Sequence, residues 1–383
     1  MRVLFVHNYY QQAGGEDLVV KMEMDLLKNN GHDVSLYSIN NESIKTSGGR
    51  FLASLSIFFN IMIFFKLYKK LRMEKPDVVH CHNMFPLLGP AVIYACWGAN
   101  VKCVLTLHNY RIICPSATLF LNGNVYLKSI SHGGWSSVKD KVYRNSFLGS
   151  AVISMSNALH KWLGTWDKAY RLVVLSDFQR HLLEPRIAGS FFIKPNFLLD
   201  NESNFENKKR ETESEVLNFL FVGRLSVEKG VLRLIDDWPE NRNFSLTVVG
   251  YGDQYDDALK LAKNRPNINI VGGKCSDEVL DLMISSDALV VPSLWYEGCP
   301  MVILEALRVG VPILANDIGS LSEMVSDKWN GLKYDAMNKA SIGNVLEEFR
   351  SMDHASLRVN CLIDFNEKYS EKIGYQNLVE LYT

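Results

Sequence analysis

The chain has 383 residues, 47% of them hydrophobic and 22% charged, which describes a soluble globular protein with room for two or more domains. Its seven cysteines are odd in number and scattered without a CxxC, so neither a disulfide framework nor a cysteine zinc site is expected, and reduced thiols in a cytosolic setting are. Residues 1–196 hold 22 Lys and Arg against 12 Asp and Glu, and residues 197–383 hold 19 against 30, so the near-neutral total of −1 hides a basic first half suited to an anionic partner or surface.

The first strand-like run, RVLFVH, follows Met1 directly, with no apolar leader of the secretory kind. It leads into HNYYQQAGGEDLVV, where Gly14-Gly15 precede a helical pattern over Glu16–Asn30 and can bring backbone N–H groups close to a ligand. DVSLYSI is the next strand. After it comes RFLASLSIFFNIMIFFKLYKKLR, whose apolar part, Phe51–Phe65, falls short of the roughly 20 residues a spanning helix needs. It reads either as a buried helix or as an interfacial one in which Phe58, Phe59, Phe64 and Phe65 enter the bilayer boundary and Lys66, Lys69 and Lys70 meet anionic head groups. PDVVHCHN and KCVLTLHN follow as strands, the first ending in His80 and His82 and the second in His108. A metal there would need further ligands at suitable spacing, and none stands out, so no metal is expected.

RLVVLS and FFIKPN complete the first set, and a polar stretch, DNESNFENKKRETESEV, separates it from a second set. That set comprises LNFLFVGRL, FSLTVVGYG, NINIVGG, ALVVPSL and PILAND, again with helical patterns between. Strands alternating with helices mean parallel sheets covered on both faces, and two such sets predict an α/β protein of two doubly wound Rossmann-like domains with a ligand cleft between them. The expected boundaries are 1–196, 197–365 and a closing helix in 366–383.

Ligands of such sheets bind beyond the strands' carboxyl ends. GRLSVEKG places Gly223, Arg224 and Lys229 at one such end, a site for a phosphate or diphosphate. Neither the Gly14-Gly15 turn nor Gly250-Tyr-Gly252 completes a GxGxxG, which disfavours NAD. In EGCPMVILEALRVGVP, Glu297 and Glu305 are eight positions apart, about 12 Å of rise and 80° of rotation on one helix, too far to share a small target. Pro300 best occupies the first helical position, leaving Glu297 in the loop and Glu305 inside the helix.

The order GG, strand-end histidine, GRLxxEKG, ExxPxxxxEA and GxP resembles the retaining glycosyltransferase family 4, whose fold is called GT-B. The resemblance implies that Arg224 and Lys229 neutralise a nucleotide sugar's diphosphate as the glycosidic bond breaks. Glu297 would accept from sugar hydroxyls and Glu305 from the ribose. Gly298, Cys299, Pro300, Met301 and Val302 would present backbone beside the donor, with Gly14, Gly15 and Gly223. On the acceptor side it implies Gly15, Glu16, His108, Tyr110 and Arg111, with His108 near the reacting carbon. The implied reaction is metal-independent and needs no cofactor. Cys299 stands where relatives often carry an aromatic residue, and Ile318-Gly319-Ser320 where a Gly-Gly pair is common.

The stretch HNYRIICPSATLFLNGNVY most resembles enzymes that build bacterial surface polysaccharide on a polyprenyl-diphosphate carrier. The implied partners are therefore a nucleotide sugar, UDP-linked by preference, a lipid-linked glycan and the anionic cytoplasmic face of the inner membrane, with no nucleic acid. The competing readings are a nucleotide-sugar epimerase or hydrolase, with Asp177 or Glu16 as its acid/base, and a non-catalytic two-domain binding protein.

Overall fold

The computed structural model describes residues 1–9, 14–40, 54–200 and 215–383. The chain forms two compact units. Unit 1 is 1–119, 126–199 and 374–383; unit 2 is 120–125 and 200–373. Each is built on a six-stranded sheet whose described ladders are all parallel.

In unit 1 the strands are β1 (Arg2–Tyr9), β2 (Asp33–Asn40), β3 (Val78–Asn83) and β4 (Lys102–Thr106); after a two-stranded hairpin, β5 (Phe120–Leu121) and β6 (Asn124–Val125), which groups with unit 2, come β7 (Arg171–Val174) and β8 (Phe191–Ile193). The sheet order is β2-β1-β3-β4-β7-β8. In unit 2, β9 (Leu217–Val222), β10 (Phe244–Val249), β11 (Ile268–Gly272), β12 (Ala288–Val291), β13 (Ile313–Asn316) and β14 (Gly331–Tyr334) are ordered β11-β10-β9-β12-β13-β14. Central parallel strands are covered on both faces, so they read as continuous apolar runs such as FLFV of β9 and ALVV of β12. β3 is the exception that points to a site: all of VVHCHN is buried although half of it is polar.

Every segment expected as a strand is one. The short β14, GLKY, and the hairpin β5–β6 were not foreseen, because four and two residues carry too little alternation to register. The expected boundary at 366 is corrected. The helix His354–Lys368 belongs to unit 2 and ends at Tyr369, and a separate helix, Glu371–Tyr382, carries the chain into unit 1. The break has a local cause, since the Ser370 hydroxyl donates to the Asn366 carbonyl at 2.9 Å and competes with the helical ladder. The boundary expected at 196 lies at 199, and most of the polar stretch beyond it, 201–214, is outside the described residues.

The apolar segment after β2 is not one helix. Asn60 caps a new helix, Ile61–Glu74, by accepting from the Ile63 N–H at 3.1 Å, which is why a polar residue interrupts the run there. Ile63, Leu67 and Leu71 face inward. Residues 51–53 of the segment lie outside the described residues.

Candidate functional site

In unit 2 the direction of strand addition reverses between β9 and β12, and an open parallel sheet leaves a crevice beyond the carboxyl ends at such a point. Two loops meet there. The Leu294 N–H donates to the Glu228 carbonyl at 2.8 Å, and Gly230 (φ +72°) approaches so closely that a Cβ would overlap the Pro292 carbonyl oxygen. Gly250 and Gly252, which failed as a dinucleotide motif, serve the same loop differently. A Cβ on Gly250 would overlap the Gly223 carbonyl, and one on Gly252 that of Leu225. Their absence of side chains lets the β10 exit pack directly under the GRL backbone.

Lys229 ends a 3₁₀ turn, Val227–Lys229, and its ammonium donates to Glu297 Oε1 at 2.6 Å. The Ser293 hydroxyl donates to the same oxygen at 2.7 Å, and the Ser320 hydroxyl holds the Glu297 carbonyl at 2.8 Å. Ser293 is fixed in turn by the Asn316 amide on its carbonyl at 2.8 Å. Glu297 is therefore a buried residue whose carboxylate is fixed by the Ser293 hydroxyl and aimed at a lysine, and whose backbone carbonyl is fixed by Ser320. Arg224 is exposed, and its guanidinium has no hydrogen bond or ion pair among the described residues. A free guanidinium beside a pre-aimed ammonium can bind an extended polyanion such as a diphosphate.

The helix carrying Glu305 runs Met301–Arg308, so Pro300 is its N-cap and not its first residue, a one-position correction within the ordinary scatter of helix ends. Ile303 and Leu304 are buried, while Met301, Val302 and Glu305 are half-buried on the other side. Burial raises the Glu305 carboxyl above its ordinary value, partly offset by Arg308. Cys299 is buried and Gly298 half-buried in the loop before it.

In unit 1 the reversal falls between β1 and β3. The helix Gly15–Asn29 begins beyond β1, and Asp17 accepts from the Gly14 N–H at 3.0 Å and from His7 Nε2 at 2.7 Å. The Gly14 N–H is thus already partnered. Gly14 has φ −129°, and a Cβ on either Gly14 or Gly15 would meet no described atom within 4 Å. Among the described residues nothing in the fold requires glycine at these two positions. Gly15→Ala is expected to leave the melting temperature unchanged or slightly raised while lowering kcat/KM about tenfold, as a methyl in the path of a ligand should. Gly250→Ala, the contrasting control, should lower the melting temperature by several degrees. Wild-type kinetics in Gly15→Ala would remove the idea of close ligand approach.

The strand-end histidines form a stack, with ring centroids 4.3 Å apart for His80–His82 and 5.2 Å for His82–His108. Burial, the largest cause, holds His80 and His108 well below the ordinary histidine value. Glu23, from the inner face of the first helix, joins them, its Oε2 lying 3.2 Å from His82 Nε2 and 3.4 Å from His80 Nδ1. Sequence reading saw no further ligand for this histidine pair, because Glu23 is 57 positions before His80 and only the fold unites them. Glu23, His80 and His82 could geometrically hold a metal ion. However, the buried ammonium of Lys194 is already 2.6 Å from Glu23 Oε1 and supplies the positive charge that the carboxylate requires.

A recess, part of it open to solvent, lies beside this cluster, walled by Phe85, Pro86, Ile153 and Trp166 and reached by His108 and Arg111. Arg111 lies over the Phe85 ring at 4.0 Å and donates to the Pro115 carbonyl at 3.0 Å. Glu16 accepts from the Asn109 amide at 3.3 Å. Tyr110 is only 2% exposed and offers no side-chain surface to an acceptor.

Of the phenylalanines singled out in sequence, Phe65 is 61% exposed and Phe59 also exposed, whereas Phe58 and Phe64 are half-buried. Lys66 and Lys69 are exposed, and Lys70 pairs with Glu74 at 2.5 Å along the helix. A second apolar face was missed. The helix Phe147–Trp162 exposes Leu148 (75%), Met155 (62%) and Trp162 (80%), spaced at helical period along one side. It packs onto the first segment through Ser156, whose hydroxyl donates to the Ile57 carbonyl at 2.8 Å. No helix among the described residues is long and apolar enough to cross a membrane.

Two Rossmann-like sheets, with a glutamate-aimed lysine and a free arginine at the switch point of the second, define the GT-B class of glycosyltransferase. The model of the group 1 glycosyl transferases matches residues 202–361, and that of glycosyltransferase family 4 matches residues 13–184. An uncharacterized glycosyltransferase of Methanocaldococcus jannaschii is 30% identical over 310 residues, 78% of this chain and 73% of that protein. A putative teichuronic acid biosynthesis glycosyltransferase of Bacillus subtilis is 28% identical over 250 residues, 65% of this chain and 55% of that protein. Anabaena HepE, crystallised in complex with UDP, shares the fold with a TM-score of 0.69 at 14% identity, covering 100% of this chain and 99% of that one. The chain belongs to the group 1 glycosyltransferases of family 4.

Proposed function

We propose that the protein transfers a sugar, with retention and without a metal, from a nucleotide-sugar donor to a polyprenyl-diphosphate-linked glycan during bacterial surface polysaccharide synthesis. The observation that carries this reading is the Lys229–Glu297–Ser293 arrangement beside the exposed Arg224 at the β9/β12 switch point. As the bond between the sugar's anomeric carbon and the diphosphate oxygen breaks, the electron pair passes to that oxygen. Arg224 and Lys229 stabilise the charge that develops there, a preorganised electrostatic effect. The acceptor hydroxyl attacks from the same face, and its proton passes to the departing phosphate. Glu297 keeps Lys229 aimed and orients the sugar, while Glu305, whose carboxyl burial raises above its ordinary value, suits a ribose hydroxyl. UDP is the preferred nucleotide, since the fold neighbour HepE was crystallised with it.

The acceptor is assigned to unit 1. The recess bounded by Phe85, Pro86 and Trp166 suits an apolar tail, and Arg111 at its rim suits an anionic group. Phe65, Leu148, Met155 and Trp162, with Lys66 and Lys69 nearby in sequence, suit an anionic bilayer surface.

The test is incubation with labelled UDP- and GDP-sugars, with and without a polyprenyl-diphosphate acceptor in vesicles. Acceptor-dependent nucleotide release is expected. Release without acceptor would favour an epimerase or hydrolase, and tight binding without turnover a binding protein. In flotation with anionic vesicles, replacing Phe65, Leu148 and Trp162 together by Ser should cut the bound fraction about tenfold. The melting temperature should hold, because these side chains are already in water; undiminished flotation would remove the membrane assignment.

A further inference from the structure

Lys194 and Glu23 are both wholly buried, and their ion pair measures 2.6 Å. Such a pair is an expensive way to hold a core together. Two apolar side chains of similar size are often as stable or more so, which leaves its presence to be explained by something besides stability.

Its connections supply the reason. A buried carboxylate ionised by a lysine can only accept hydrogen bonds. Glu23 Oε2 lies 3.2 Å from His82 Nε2 and 3.4 Å from His80 Nδ1, within reach of their charge without the alignment of a hydrogen bond, and neither Oε2 nor His82 Nε2 has a hydrogen-bond partner among the described residues. A nitrogen lone pair turned towards that oxygen would be repelled, so Nε2 of His82 carries the proton. Lys194 already balances the carboxylate, and a second positive charge on His82 would be uncompensated beside His80 and His108. The imidazole is therefore neutral and its Nδ1 is an acceptor. His108 Nε2 lies 2.9 Å from that Nδ1 and must donate. His80 does not compete for the role: its Nδ1 is 2.7 Å from the Tyr382 hydroxyl and its Nε2 is 2.8 Å from the Thr106 hydroxyl. His7, the remaining imidazole of the group, is turned to Asp17 at 2.7 Å.

We infer that Glu23 and Lys194 are positioning residues for the transfer reaction, which act through His82 to place the His108 proton on Nε2 and leave Nδ1 as a hydrogen-bond acceptor for a hydroxyl. This rests on the reading that His108 serves the transferred sugar. In the opposite tautomer His108 would present an N–H there and would repel a hydroxyl hydrogen; only the fixed form recognises a sugar OH as donor.

Nitrogen-15 imidazole spectra of the full chain decide the point. Signals of His82 and His108 are assigned with His82→Gln and His108→Gln, and both rings should show the Nε2–H tautomer. The double variant Glu23→Leu/Lys194→Met exchanges the ion pair for apolar side chains. It should show mixed tautomers at His108, kcat lowered about tenfold and donor KM within about twofold, the size of effect expected when one hydrogen bond to the reacting sugar is lost. A wild-type His108 protonated on Nδ1 would overturn the assignment. So would a folded double variant with wild-type kcat. If the double variant does not fold, the wild-type spectrum alone still decides. His108→Ala with undiminished kcat would sink the role of His108 itself, a failure that the tautomer spectra distinguish from failure of the network.

Discussion

Lys229→Ala should reduce kcat by roughly 10²–10³-fold, the loss seen when one preorganised charge or donor on a developing oxyanion is removed. Lys229 is about one-quarter exposed and, among the described residues, makes one ion pair, to Glu297 at 2.6 Å. Its removal leaves Glu297 still hydrogen-bonded by Ser293, so the stability cost should be near 1 kcal/mol and the fold should persist. Circular dichroism and thermal melts establish the fold, and single-turnover sugar transfer measures the chemical step. Lys229→Arg, which keeps the charge on a differently shaped head, should recover part of the rate. Wild-type turnover in Lys229→Ala would end the diphosphate assignment at the β9/β12 switch point.

Lys194→Met on its own should destabilise unit 1 by about 3–5 kcal/mol, because it strands a buried carboxylate. The double variant with Glu23→Leu should recover most of that loss. Urea unfolding of the single and double variants tests the pair directly; equal stability of the single variant and wild type would mean that the two groups are not the tight pair the structure shows. The pH dependence follows with a definite sign. Burial would raise the Glu23 carboxyl, but the Lys194 ammonium beside it overrides this and holds it well below its ordinary value of 4.5, so its contribution is present above that pH and lost as pH falls. His80 and His108, held below 6.5 mainly by burial, take up protons in the unfolded chain before the folded one. Stability should therefore fall below pH 6.5, by up to about 1.4 kcal/mol per pH unit for each imidazole.

The donor-side residues were legible in sequence because they are local. GRLSVEKG spans one strand end and one turn, and EGCPMVILEA one loop and one helix start, so spacing alone places their charges at a sheet's carboxyl edge. What spacing could not show is that Lys229 and Glu297, 68 positions apart, touch. The acceptor-side reading was less even. His108 and Arg111 do line a recess, but Tyr110 between them points into the core, since consecutive residues leaving a strand face different ways. The helix Phe147–Trp162 was overlooked because its serines and glycine dilute the apolar pattern that folding then concentrates on two faces, one buried and one exposed.

By itself the sequence determined the two parallel sheets, through the alternation of short apolar runs with helical patterns, and the family, through motifs read within single loops. Only the tertiary structure decided the histidine cluster's partners. Glu23 on the inner face of the first helix and Lys194 beyond the last strand of the same sheet are 171 positions apart. Nothing in either local sequence marks them, because a lone charge in an apolar helix or strand end ordinarily reads as a surface residue. It takes the packing of that helix against the sheet, with water excluded, to turn two unremarkable charges into one pair that governs a proton's place.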